Sequence, residues 1–248
     1  MNRPEVLTRA IILIDGFDPR AVMPASGPHP AFRDIDGVPA ADLLLRRLSA
    51  QGITDAWLVS RNLPGLVVHY FGDGGAWGLR ATHVRQDGPA GSGGAMAAAR
   101  QYVTESTLLI DGALVTTVPV ATLFKAHRRM DVDATMCLTA SVGESAGLPR
   151  ARIDRASGLV RQIFPEPPFP ESEDTLCAVG AYIIEPAAAL QESNAMSADW
   201  VRDALPGLAE RERVGGWEAD AGVTVDLPRR VRAVRLGQRP GAVRNVNV

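Results

Sequence analysis

Cysteine is scarce: the 248 residues include only Cys137 and Cys177, and both stand in apolar stretches. They read as buried, reduced thiols, which excludes a disulfide scaffold. Lysine is almost missing, since among the 26 basic residues Lys125 alone is a lysine, and aromatic residues make up only 5%. No apolar run approaches the roughly 20 residues of a membrane helix. The N-terminal run Ala10 to Ile14 stops at Asp15 and is too short for a signal peptide. Excess charge is missing as well. A net charge of −2 gives no general attraction to a polyanion, so nucleic acid is not an expected partner. A soluble, cytoplasmic protein without membrane contact is expected.

Hydrophobic residues at 46% and charged residues at 22% are ordinary for a globular chain, with Gly 24 and Pro 18 raised but short of disorder. Short apolar runs alternate with longer amphipathic ones, the pattern of β-α-β units. Ala10 to Ile14, Ala56 to Val59, Leu79 to Val84 and Thr107 to Ile110 read as buried strands. Helices are expected from Pro39 to Leu48, where Gly52 stops the chain, and at Leu63 to Phe71, Gly94 to Tyr102 and Pro119 to Met130. After Ala134 the texture becomes more β-rich: Ala134 to Thr139, a hairpin around Ser157-Gly158, and Leu176 to Ile184. Helices return at Pro186 to Leu190 and Asp199 to Leu208. Phe164-Pro-Glu-Pro-Pro-Phe-Pro170 is too poor in amide donors for regular structure and reads as a rigid loop. The expected fold is α/β: a Rossmann-like, doubly wound, mostly parallel mixed sheet flanked by helices. Ile11, Leu13, Leu58, Val59, Leu108 and Ile110 should lie in its core.

Several motifs follow one another in a specific order. Gly16-Phe17-Asp18-Pro19-Arg20 follows the first strand; His29-Pro30 precedes Gly37-Val38-Pro39. Tyr70-Phe-Gly-Asp-Gly74, Trp77-Gly78, Gln86 and Pro89-Ala-Gly-Ser-Gly-Gly-Ala95 come next, then Ile110-Asp-Gly-Ala113, Phe164-Pro-Glu-Pro-Pro168 and Gly180-Ala-Tyr182. This order resembles the sugar-1-phosphate nucleotidylyltransferases, whose corresponding signatures are G-x-G-T-R, P-K-P, G-x-P, Y-F-G-D-G, P-L-G-T-A-G-A, N-G-D, F-x-E-K-P and G-x-Y. The resemblance runs nearly end to end. It implies a single domain with the nucleotide-diphospho-sugar transferase-like fold, a nucleotide-binding half at 1–133 and a sugar-binding half at 134–248.

The resemblance also implies roles. A glycine-rich loop wraps a triphosphate with backbone amides, so Gly16 and, further on, Gln86, Gly91 and Ser92 are the expected nucleotide-binding residues. Arg20 is the expected catalytic residue, neutralising charge as a sugar phosphate attacks and pyrophosphate leaves. Glu166 and Gly180 would meet the sugar phosphate. Mg²⁺, the cofactor of an active member, would be held by aspartates. For the C-terminal one, two registers compete: Gly222 to Pro228 offers Asp226, whereas Gly241 to Asn247 offers Asn245. Val214-Gly-Gly-Trp217 ahead of the first register favours Asp226.

The departures fall on the chemical positions. Ala113 stands where the family has the metal-binding aspartate of N-G-D, and a methyl group cannot ligate Mg²⁺; Asp111 is a possible substitute. His29 and Pro167 replace the lysines of P-K-P and E-K-P, and a coding bias toward arginine explains neither change. Asp15 and Asp18 add negative charge where a triphosphate would lie. Pro149 replaces the glycine of a Y-G-V segment.

Structural readings stand beside the functional ones. The glycines at 91, 93 and 94 serve a tight turn that opens a helix, His69, His83 and His127 lack metal-ligand spacing, and the four scattered tryptophans read as packing. The alternating Val and Arg from Arg229 to Arg239 suits an edge strand with one basic face, or a site for phosphate or an acidic partner. Two functions follow. One is an active enzyme that makes a nucleoside-diphosphate sugar. The other, favoured by the joint loss of a metal aspartate and both lysines, is a degenerate, non-catalytic binding or regulatory subunit. The expected partners are a nucleotide or sugar phosphate and, at the protein level, a second copy or an active relative.

Overall fold

The computed structural model describes residues 5–15, 30–62, 64–112, 115–140, 148–170, 172–191, 199–219 and 225–226, with the backbone alone at 30, 115–116, 191 and 225–226. Gly16, Asp18, Arg20, His29, Ala113, Asn245 and the arginine-rich stretch 229–239 lie outside the described residues.

In chain order the elements are β1 (Arg9–Leu13), a short ribbon of β2 (Asp34–Ile35) and β3 (Val38–Pro39), α1 (Ala40–Ala50), β4 (Asp55–Ser60), α2 (Pro64–Phe71), β5 (Arg80–Arg85) and α3 (Ser92–Ala99). They continue with β6 (Thr107–Asp111), β7 (Val115–Thr116), α4 (Val120–Met130), β8 (Ala134–Thr139), β9 (Arg150–Ile153), β10 (Val160–Phe164) and β11 (Thr175–Ile184). Last come α5 (Pro186–Gln191), a π turn at Trp200–Ala204 that runs into α6 (Leu205–Glu210), then β12 (Val214–Glu218) and β13 (Val225–Asp226).

The apolar run of β1 forms the centre of the main sheet because it has no polar face to give to water. It pairs in parallel with β4 on one side and β6 on the other, and β5 extends the sheet beyond β4. Strand β11 runs antiparallel to β6, β8 and β9, β10 runs antiparallel to β9, and β12 runs parallel to β8. Seven of the nine strands therefore share one direction and β10 and β11 oppose them. Ile11, Leu13, Leu58, Val59, Leu108 and Ile110 are all buried, as their runs require.

Alternation along the strands divides the core into two layers. Ile12, Leu58 and Leu108 face α1, α2 and α4 through Leu44, Phe71 and Leu123. Ile11, Leu13 and Leu109 face α3, α5, the π turn and α6 through Met96, Ala188, Trp200 and Leu205. Burying each such large side chain contributes about 1.5–3 kcal/mol.

Most element ends fall within one or two residues of expectation, and two helices depart from it further. The helix expected from Gly94 begins at Ser92 and yields to a 3-10 turn at Arg100–Tyr102. The helix expected over Asp199 to Leu208 opens as the π turn. Pro206 has no amide to continue an α ladder back to Arg202, so a wider turn precedes it.

The ten residues of β11 are buried throughout, and they divide at Gly180. The C-terminal half, Ala181–Ile184, pairs with β6, while Thr175–Cys177 pairs with β9. The register with β8 shifts between Ala178 and Tyr182, and Gly180 takes a left-handed φ of 71° that costs glycine nothing. Above this break the β9-β10 hairpin extends the sheet past the ends of the parallel strands.

Candidate functional site

Strands β1, β4, β5 and β6 end at one edge, and the strand order reverses around β1. Such an edge is where open α/β sheets bind ligands. Asp15 follows β1, Arg61 follows β4, Gln86 follows β5 and Asp111 ends β6.

The carboxylate of Asp15 does not stand free at this edge. Its Oδ2 accepts from the backbone N–H of Arg61 at 2.6 Å and of Asn62 at 3.3 Å, so it closes the turn after β4. The Arg61 guanidinium in turn donates to the carbonyl of Gly88. This joins that turn to the loop before α3.

Gln86 is buried, and its Nε2 donates to the carbonyls of Pro89 and, at 3.1 Å, Gly91. Its backbone N–H donates to the carbonyl of Ser60 at 3.0 Å. The side-chain amide therefore shapes the loop from within. Gly94 permits the same closure: a Cβ there would stand 1.9 Å from the Pro89 oxygen and 2.7 Å from Gln86 Nε2, so no larger residue fits.

Ser92 begins α3 and is fully buried. Its Oγ accepts from the N–H of Trp200 at 2.9 Å and lies 3.5 Å from Asp199 Oδ1. Asp199 Oδ1 also accepts from the N–H groups of Val201 at 2.9 Å and Arg202 at 3.1 Å, capping the π turn. Burial raises the carboxyl of Asp199 above the ordinary aspartate range, and Asp203 adds to this, against the two amides. A carboxylate thus approaches the first turn of α3, where a helix would otherwise favour an external anion.

Glu166 forms an ion pair with Arg202, so the proline-rich loop is tied to the π turn whose cap is Asp199. Tyr182 packs edge-on against Trp200 at 5.3 Å between ring centres. Its hydroxyl is pushed up first by burial and then by the charges of Asp199 and Asp111.

Of the residues singled out in the sequence, Gln86, Gly91 and Ser92 come together at the head of α3, and Glu166 reaches them through Arg202 and Asp199. Gly180 stands at the break in β11, part of the backbone. Asp226 has a backbone position opposite Val115 in the β7-β13 ribbon, two residues beyond Ala113. Among the described residues no group of three or more His, Cys, Asp or Glu side chains could hold a metal ion. Sequence reasoning missed Asp199 and Arg202. An aspartate ahead of a helix signals a cap, but nothing local ties it to Ser92.

No family model matches the chain. Residues over a 144-residue stretch, 57% of the chain, are 30% identical to a mannose-1-phosphate guanylyltransferase of Mycobacterium tuberculosis. A stretch of 147 residues, 58% of the chain, is 29% identical to a glucose-1-phosphate thymidylyltransferase of Streptomyces antibioticus. The chain is a relative of the sugar-1-phosphate nucleotidylyltransferases. The matches span 38% and 40% of the length of those two proteins. The nucleotidylyltransferase-like fold extends further: a Bacillus anthracis structure described as a glucose-1-phosphate thymidylyltransferase in complex with a sucrose superposes with a TM-score of 0.70. That likeness covers 85% of this chain and 86% of the other at 17% identity. In this nucleotidylyltransferase relative, then, the edge that faces ligand in the fold class is lined by groups already bonded to one another.

Proposed function

We propose that this relative of the sugar-1-phosphate nucleotidylyltransferases serves as a non-catalytic binding or regulatory subunit. The observation that supports the reading is the commitment of the edge. Asp15 holds the turn after β4, Gln86 holds the loop before α3, and Ser92 is bonded to Trp200 beside the Asp199 carboxylate. Groups committed in this way offer little to a triphosphate, and Asp15 and Asp199 add negative charge around it. The sequence departures at Ala113, His29 and Pro167 act in the same direction.

In this reading residues 1–133 form the half turned to a nucleotide and 134–248 the half turned to a sugar phosphate. Candidate ligands come from the names of the relatives: GTP with mannose 1-phosphate, and dTTP with glucose 1-phosphate. A second copy of the chain or an active relative is the protein partner, in the cytoplasm.

A second reading, an active enzyme with an atypical site, is favoured by the β7-β13 pairing. The ribbon brings the backbone of Asp226 next to the turn that follows β6, where Asp111 is buried. Two carboxylates with ligand phosphates and water are a sufficient donor set for Mg²⁺. Bound there, the cation would neutralise phosphate charge, with Arg20 and Gly16 toward the phosphates, Gln86 and Gly91 toward the base, and Glu166 and Gly180 toward the sugar.

Calorimetric titration of GTP and dTTP with and without Mg²⁺, combined with pyrophosphate release in the presence of the two sugar phosphates, separates the readings. Weak, Mg²⁺-independent binding and no turnover are expected. Mg²⁺-dependent binding with multiple turnovers overturns the subunit reading in favour of the enzyme.

A further inference from the structure

The β9-β10 hairpin carries arginines of two kinds. Arg155 is paired with Asp174 and Glu218, and Arg161 with Asp154 and Glu212. Arg150 and Arg152, by contrast, meet no carboxylate among the described residues. Their guanidinium carbons lie over aromatic rings instead, Arg150 at 4.8 Å from the centre of Phe169 and Arg152 at 5.5 Å from that of Phe164.

The two arginines are neighbours on one face of β9, because residues two apart on a strand point the same way at a separation of roughly 6.6 Å. Ala151 and Ile153 take the other face and enter the core beneath the π turn and α6. Two unpaired cations side by side on a half-buried face repel each other unless an anion lies between them. Stacking on a ring fixes the plane of a guanidinium while leaving its N–H edge free for two parallel hydrogen bonds, the geometry that suits phosphate.

A further group marks the same face. Thr175 stands directly opposite Arg152 in the β9-β11 register and is only 8% exposed, yet its Oγ has no hydrogen-bond partner among the described residues. A buried hydroxyl without a partner is costly. Gln162 is opposite Arg152 on the β10 side and exposed. Two guanidiniums, a hydroxyl and an amide thus surround one patch, with no acid among them.

We propose that this face of β9, formed by Arg150, Arg152, Thr175 and Gln162, is a binding site for a phosphate group. The arginines fork onto its oxygens, the Thr175 hydroxyl donates to a third, and the Phe164 and Phe169 rings hold the forks in place. The site is independent of the edge at the head of α3 and stands whether or not that edge binds a nucleotide.

The test uses the whole chain in Mg²⁺-free buffer. Inorganic phosphate and glucose 1-phosphate are titrated separately, followed by calorimetry and ³¹P NMR, with glucose as the uncharged control. Binding of either phosphate and not of glucose is expected. Equal affinity for the two identifies the phosphate group alone as the ligand, and tighter binding of glucose 1-phosphate identifies a phosphate carried on a sugar. Arg150→Gln with Arg152→Gln should weaken binding at least about tenfold. Thr175→Val, nearly isosteric and free of any folding hazard from lost charge, should weaken it by about threefold or more. Absence of phosphate binding to the unaltered chain overturns the proposal, as does binding that survives the double arginine variant.

Discussion

Ser92 and Asp199 are 107 residues apart in sequence, yet their side-chain oxygens lie 3.5 Å apart at the head of α3. The same Asp199 oxygen caps the π turn, and the same Ser92 oxygen accepts from Trp200. The contact therefore fastens the helix at the edge where the parallel strands end to the π turn that packs on the same side of the sheet.

Asp199→Ala removes the cap and should destabilise the protein by about 1–2 kcal/mol, whereas Asp199→Asn keeps an acceptor for both amides and should cost little. Burial holds the Asp199 carboxyl above its unfolded value, so the folded state binds that proton more tightly. Stability must then fall as pH rises from the unfolded value through the folded one. Urea titrations from pH 4 to pH 8 should show the Asn variant gaining on the parent as pH rises; a constant difference contradicts this.

Asp42, in the first turn of α1, is buried and accepts from Trp77 Nε1 at 2.7 Å and Arg46 Nε at 2.7 Å. Asp42→Ala strands a buried indole N–H, and a loss of about 2–3 kcal/mol is expected. Trp77→Phe leaves Arg46 to satisfy the carboxylate. The double variant should cost less than the two single losses added together, which urea unfolding at constant m-value can read.

Burial pushes the Cys137 thiol up to about 12, and Cys177 is buried as well. Thiolate is the reactive form. At pH 8 a chromogenic disulfide reagent should leave both thiols untouched until denaturant is added, and the rate of labelling should follow unfolding. Rapid labelling in the native state is the contrary result.

In the β9-β10 hairpin, Asp154 is held down at about 2, first by its bond with Arg161 and then by the backbone N–H groups of Ser157 and Ala156. A lowered carboxyl favours the folded hairpin above its unfolded value, and this contribution is lost as pH falls toward about 2. Arg161→Gln should let the Asp154 pKa climb toward the ordinary range in an NMR titration.

The sequence departures can be reversed directly. Ala113→Asp supplies the carboxylate of the N-G-D signature, His29→Lys a full positive charge, and Asp18→Gly removes a carboxylate after β1. Acting on one triphosphate, the three should raise Mg²⁺-dependent NTP affinity by more than the sum of their single effects. A folded triple variant without that gain shows that the edge itself, through Asp15, Gln86 and Asp199, excludes the ligand.

Element order, the central strands and both helical layers were legible in the sequence, because each depends on periodicity within a few residues. Ile11 and Leu108 had to be buried once their runs lacked a polar face. The likeness to nucleotidylyltransferases was equally legible, since Tyr70 to Ala95 preserves motif order. Gln86 and Ser92 were singled out in the sequence as nucleotide-binding residues; the structure places both at the head of α3, where their bonding was beyond reach of the sequence. A glutamine after a strand has the same sequence context whether its amide faces a base or its own loop. Only the tertiary structure brought Pro89 and Gly91 under Gln86, Asp199 to Ser92, and Thr175 to Arg152. Strand periods and helix caps are decided by neighbours along the chain. Which polar group satisfies which is decided by packing between segments up to 107 residues apart, and local sequence carries no record of it.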